Sequence, residues 1–243
     1  MQNHFNGSVS PLSEAEQALR SWGIEYKKQP DGTLFVPGNL DISSKGLRVL
    51  PGLSTVSVTG YFSCSDNLLT SLEGVPHTVG SGFHCSGNRL TSLEGAPQTV
   101  GGGFTCSGNR LTSLKGAPQS VTGNFYCDND QLTSLKGAPH TIGGHFYCHH
   151  NQLTSLEHAP HTVTGDFYCD HNQLTSLEGA PKTFKNLKSD FGVFADWEAV
   201  PEELRLSPET RARQEKELQM EFSEAATVLK APIKISSPLR LKK

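Results

Sequence analysis

The sequence predicts a β-rich solenoid, and three observations carry that prediction. First, a 21-residue unit recurs six times without insertion or deletion, starting at Tyr61, Gly82, Gly103, Asn124, His145 and Asp166. A fixed period of this size marks an architecture in which each unit buries its apolar residues only by stacking on the next. Second, Phe and Cys stand two residues apart in every copy, as in Phe146 and Cys148. That is the period of a strand with one buried face. Third, each copy returns through Gly-x-Pro or a close variant, and Pro76, Pro97, Pro118, Pro139, Pro160 and Pro181 each remove a backbone donor. A helix on the return side is thereby disfavoured. The expected fold is one parallel sheet on the concave face with extended or turn-like return segments.

The elements follow in chain order. Residues 1–39 read as an N-terminal helical cap region. Ser13 with Glu16 three residues later is a capping box, predicting a helix over 14–22. Leu34, Phe35 and Val36, bounded by Gly32 and Pro37, predict a short strand. Residues 40–186 form the solenoid, opening with a degenerate copy, LDISSKGLRVLPGL, whose core positions are Leu40, Ile42, Leu47 and Leu50. In the regular copies Asn67, Asn88, Asn109, Asn151 and Asn172 fall just after the strand, where a side-chain amide can satisfy backbone groups freed by the bend. Asp130 takes that place in the fourth copy. Residues 187–230 read as a C-terminal cap and amphipathic helix. Phe184 continues the Val column begun by Val79, and Phe191, Phe194 and Trp197 cover the last coil. Ser207-Pro208 opens a helix. Its stripe of Leu218, Phe222, Ala225, Ala226 and Leu229 is expected to fold back on the solenoid. Residues 231–243, with Lys234, Arg240, Lys242 and Lys243 and no acid, are expected to be a basic, disordered tail.

The repeat resembles the leucine-rich repeat family, whose pattern is L-x-x-L-x-L-x-x-N/C-x-L. Phe and Cys stand at its second and third Leu positions, followed by the Asn and by pairs such as Leu153 and Leu156. The first Leu is missing, and Val79 and its equivalents fill that volume from one residue earlier. The short unit, with Gly and Pro on the return stroke, is similar to bacterial and phage members of the family. The resemblance spans residues 40–186 and implies a protein-binding solenoid, effector-like in some bacterial relatives.

Composition excludes several classes. Twenty-one Lys and Arg against 24 Asp and Glu give a net charge of −3, which announces no nucleic-acid partner. No apolar run reaches the roughly 18 residues of a membrane span, and the N-terminus lacks the pattern of a cleaved secretory signal. A cytoplasmic protein, or one exported without a cleaved signal, is expected. The six cysteines, Cys64, Cys85, Cys106, Cys127, Cys148 and Cys169, occupy one position per copy. Side chains on adjacent parallel strands lie about 4.8 Å apart and point the same way, so a reduced, buried cysteine ladder is expected rather than disulfides.

With Phe and Cys inward, the alternate residues point outward. Copies two and three show Gly, Ser and Thr there, apart from His84. Copies four to six show Tyr126, Tyr147 and Tyr168 between Phe and Cys, and Asn124, His145 and Asp166 before Phe. Asp128, His149 and Asp170 follow Cys directly, and Asn129, His150 and His171 come next. Tyrosine offers a large contact area with a directional hydroxyl and is enriched in binding surfaces. The expected function is therefore non-enzymatic binding of a protein partner. Tyr126, Tyr147 and Tyr168 serve as anchors; Asp128, Asp170, His149, His150 and His171 set orientation, together with Asn124, His145 and Asp166.

Two alternatives differ in class. His and Asp in one column are suitable metal ligands, but the cysteines face the other way and no paired metal motif occurs. No metal and no cofactor is therefore expected. A purely architectural array is the other. Catalysis is not expected, because all six cysteines lie in the repeats and no Ser-elbow or phosphate loop appears. In the effector ubiquitin ligases that the repeats resemble, a large catalytic domain with a nucleophilic cysteine follows the array; here about 57 residues follow Asn186, short for such a domain. The basic tail adds only modest attraction for nucleic acid, and an acidic face would repel phosphate.

Overall fold

The structure, a computed structural model, describes residues 12–230, with side chains described as far as residue 223. It is a β-solenoid in which the degenerate copy at Leu40 and the six regular copies each contribute one rung. Strands Leu40–Asp41, Phe62–Ser63, Phe83–His84, Phe104–Thr105, Phe125–Tyr126, Phe146–Tyr147 and Phe167–Tyr168 pair in parallel, each Phe facing its equivalent on the next rung. The sheet runs on through Leu187–Ser189 and closes with an antiparallel strand, Gly192–Phe194.

Parallel in-register pairing puts like on like, so every inward position becomes a column. The Phe rings stack at 5.2–5.6 Å between centroids and are fully buried, as are the Leu pairs of each copy except for Leu174, which is half-buried. All six cysteines are buried free thiols. Burial pushes the Cys64 thiol up to about 12. The thiols of Cys64, Cys106, Cys127 and Cys148 donate to the next strand, Cys127 Sγ to the Tyr147 carbonyl at 3.2 Å and Cys148 Sγ to the Tyr168 carbonyl at 3.3 Å.

The return stroke is more ordered than its proline content suggests. Its Thr-Val step forms further parallel rungs, Ser120–Val121, Thr141–Ile142 and Thr162–Val163 in one sheet. A second sheet combines Lys27–Lys28, Leu34–Val36, Val56–Val58 and Thr78–Val79. The fold thus carries parallel ladders on both faces, where the sequence predicted one sheet and an extended return. The Thr-Val step begins two residues after the proline, so the missing donor leaves the ladder intact.

Both ends of the array meet other elements. Helix Glu14–Ser21 has the full capping box: Glu16 N donates to Ser13 Oγ, and Ser13 N donates to Glu16 Oε2. Ala15 and Leu19 are buried against the solenoid. At the other end Phe194 and Trp197 pack on the core, while Phe191 is exposed. Helix Pro208–Lys230 starts with Ser207 Oγ accepting from Thr210 N. It is tied to the sixth copy by Glu178, which accepts from Ser207 N and from the Thr210 hydroxyl. The expected folding back is corrected: Leu218 and Phe222 are 53% and 68% exposed. The helix is fastened at its first turn and its described apolar residues meet no core. Ala225, Ala226 and Leu229 lie beyond the described side chains, and the basic tail lies outside the described residues.

The glycine of each return turn sits in the left-handed region, with φ between 86° and 93° at Gly74, Gly95, Gly116, Gly137 and Gly179. The fifth copy has His158 there, at φ 67°. An L-residue pays roughly 1–2 kcal/mol for that conformation. His158→Gly is therefore expected to stabilise the protein by about 1 kcal/mol in chemical denaturation; an unchanged midpoint would contradict it.

Candidate functional site

On the long sheet the alternation that buries Phe and Cys turns the intervening residue outward. In copies four to six that residue is tyrosine, and the strand spacing of about 4.8 Å then stacks the rings. Tyr126 and Tyr147 lie 4.5 Å apart at an interplanar angle of 3°, and Tyr147 and Tyr168 4.6 Å apart at 6°. The ring faces cover one another, leaving the tyrosines half-buried with edges and hydroxyls available. Burial between its neighbours pushes the Tyr147 phenol up to about 12, and burial with the Asp166 carboxylate raises that of Tyr168. Tyr147 and Tyr168 remain hydroxyls at neutral pH.

The column before Phe is a capping ladder. Asn124 Oδ1 accepts the His145 amide at 2.8 Å, and His145 Nδ1 accepts the Asp166 amide at 2.9 Å. Accepting at Nδ1 places the proton of the neutral ring on Nε2. Asn124 Nδ2 donates to the Tyr126 hydroxyl at 2.9 Å, and the Tyr168 hydroxyl donates to Asp166 Oδ2 at 3.1 Å. The Asn186 amide donates to Asp166 Oδ1 and, with the Tyr168 hydroxyl, holds that carboxyl below its ordinary value. Asn124 and His145 therefore fix backbone, and Asn124 and Asp166 orient the hydroxyls of Tyr126 and Tyr168.

The column after Cys carries charge. The Ser107 hydroxyl donates to Asp128 Oδ1 at 2.6 Å, and Asn129 Nδ2 donates to Asp128 Oδ2 at 2.7 Å. His149 Nε2 stands 4.0 Å from Asp128 Oδ2, and its buried Nδ1 has no hydrogen-bond partner. Asp170 is buried, which raises its carboxyl; Lys188 Nζ at 3.1 Å and His171 Nδ1 at 2.9 Å outweigh that and hold it low.

The next column departs from the sequence reading. Asn129, His150 and His171 do not extend the strand: they have φ of 55°, 52° and 55° and form a left-handed turn beyond it. His150 and His171 stack there at 4.2 Å, to the side of the tyrosine row. The equivalent residues are Ser44, Asp66, Gly87 and Gly108, all at positive φ. Gly, Asp and Asn are residues that accept this region, so the composition of the column held the signal.

The sequence also missed Lys188. Leu187, Lys188 and Ser189 form the next rung, with Lys188 beside Tyr168 in register. That rung comes 20 residues after Phe167 rather than 21 and lacks Phe-x-Cys, which hid it. Along these outward columns Asp41, Asp66, Asp128, Asp166, Asp170 and Asp190 outnumber the cations near them: Lys188 is already paired with Asp170, and Lys45 and Lys185 act on Asp41 and Asp166 from outside the columns. Among the described residues no group of three or more His, Cys, Asp or Glu side chains is placed to hold a metal ion. No helix among them is long and apolar enough to cross a membrane. Compared with known proteins, the sequence matches no family model and no curated protein.

Proposed function

We propose that this chain is a short leucine-rich-repeat protein that binds a protein partner through the outward face of copies four to six, without catalysis. The observation that carries the reading is the tyrosine row, Tyr126, Tyr147 and Tyr168, stacked in register with its hydroxyl edge open beside Asp128, His149 and Asp170. Stacking holds the rings in one conformation before any partner arrives, which lowers the ordering cost of binding. The carboxylates around the row favour a partner segment rich in cationic and donor groups. The setting is cytoplasmic, or one reached by export without a cleaved signal.

The test is capture from lysate by the native protein and by the combined Tyr126→Ala, Tyr147→Ala and Tyr168→Ala variant, after thermal melting shows the variant folded. Loss of aromatic anchors of this kind costs about 2 kcal/mol or more, roughly a 30-fold weakening. A partner held by the native protein and released by added salt, and lost in the variant, is the expected result. Equal capture by both overturns the assignment to this face, and no capture at all favours an architectural array.

A further inference from the structure

The Asn column has one exception, and it lies where the Gly, Ser and Thr copies meet the tyrosine-bearing ones. In the other copies the side-chain amide works in both directions. Asn109 Oδ1 accepts from Leu90 N at 3.0 Å, and its Nδ2 donates to the carbonyls of Cys85 and Cys106. Asn151 does the same with Leu132 N and the carbonyls of Cys127 and Cys148. Asp130 keeps the accepting half, taking Asn109 N at 2.9 Å and Leu111 N at 3.2 Å on Oδ1. Its Oδ2, in the place of the donor, is sealed from solvent and has no hydrogen-bond partner. The residue is 8% exposed.

A carboxylate there turns lone pairs towards the Cys106 and Cys127 carbonyls, which in the other copies face a donor. Among the described residues no cation acts on Asp130 to offset this: burial and the Asp128 carboxylate on its own turn oppose its charge, the Leu111 and Asn109 amides favour it, and the thiols of Cys85, Cys106 and Cys127 feel it as a like charge. We propose that Asp130 is a protonation-controlled joint, which fastens copy three to copy four when neutral and loosens the array at that point when it loses its proton. On Oδ2 the proton restores the missing donor. Without it, the charge stays buried and unpaired or swings to water, withdrawing the acceptor from the Asn109 and Leu111 amides.

Burial pushes the folded-state pKa of Asp130 up to about 7, against roughly 3.9 for an unfolded chain. Between those values the folded protein holds a proton that the unfolded chain has released. The contribution is fully present below about pH 4, falls as pH rises to about 7 and is constant above it. The joint opens in the range where cells work, and it stands whether or not the tyrosine row binds a partner.

The experiment compares the full chain with Asp130→Asn, a residue the same position already carries in five copies. Denaturation midpoints are measured from pH 4 to 8. The ratio of the two unfolding constants is expected to widen about tenfold per pH unit up to about pH 7 and then to level off, with the variant the more stable. Taking the ratio cancels the histidines and other groups common to both. Hydrogen exchange locates the effect: the Leu111 amide should lose protection with rising pH relative to Leu90 and Leu132, whose acceptors are Asn oxygens, and should keep it in the variant. Parallel pH profiles for the two proteins, or equal loss of protection at all three amides, would overturn the proposal.

Discussion

Phe125→Ala is expected to cost about 3–5 kcal/mol of unfolding free energy, the range for truncating a fully buried aromatic ring. The ring stacks on Phe104 at 5.2 Å and on Phe146 at 5.5 Å, with no exposure. A solenoid is stabilised by nearest-neighbour interfaces, and this truncation hollows out two of them. Collapse cannot refill the space, because in-register pairing holds the flanking strands where they are. Phe125→Leu keeps most of the volume and should cost less than about 1.5 kcal/mol. Urea denaturation of the two variants decides the matter. A loss below about 1 kcal/mol for the alanine variant would mean that the Phe column does not hold the rungs together.

Asn109→Leu is expected to cost about 3 kcal/mol at pH 8, where Asp130 has lost its proton, and more than Asn88→Leu by roughly 1 kcal/mol or above. Either change strands one buried amide, Leu90 N or Leu69 N. The carbonyls make the difference. Those that Asn88 serves, on Cys64 and Cys85, keep a second amide donor from Asn67 and Asn109. The Cys106 carbonyl has Asn109 as its side-chain amide donor, because the next copy offers Asp130 in place of an amide. Each buried group left without a partner costs about 1–3 kcal/mol. Equal destabilisation by the two variants would show that the second donor in each pair carries no weight.

The candidate surface was legible in part. Period-two alternation is enough to turn Tyr126, Tyr147 and Tyr168 outward, and in-register repetition is enough to stack them. The contacts across copies were not legible. That His145 caps the Asp166 amide depends on a register of 21 residues together with a ring orientation. Lys188 entered through a rung one residue short, so its pairing with Asp170 appears only once Leu187 is seen beside Phe167. His150 and His171 were read as a further outward column beside His149 and Asp170, although strict alternation past Cys would have turned them inward. Backbone φ, which no hydrophobic pattern reports, turns the chain there.

The C-terminal helix shows the same division. Ser207 and Pro208 mark its start, since capping is a local property of adjacent residues. Its stripe did not say what would cover it: an apolar face states a demand, and only the path of the chain decides whether a surface lies within reach. Here Glu178 holds the first turn, and Leu218 and Phe222 stand exposed.

By itself, then, the sequence determined the solenoid, the inward Phe, Cys and Leu columns and the Asn ladder, because those rest on periodicity and on chemistry within one copy. Tertiary structure alone decided the second ladder on the return side, the exposure of the C-terminal helix and the unpaired oxygen of Asp130. The physical reason is that each depends on what one copy meets in the next: a hydrogen bond is made or missed across a distance of some 20 residues, where the pattern within a copy has nothing to say.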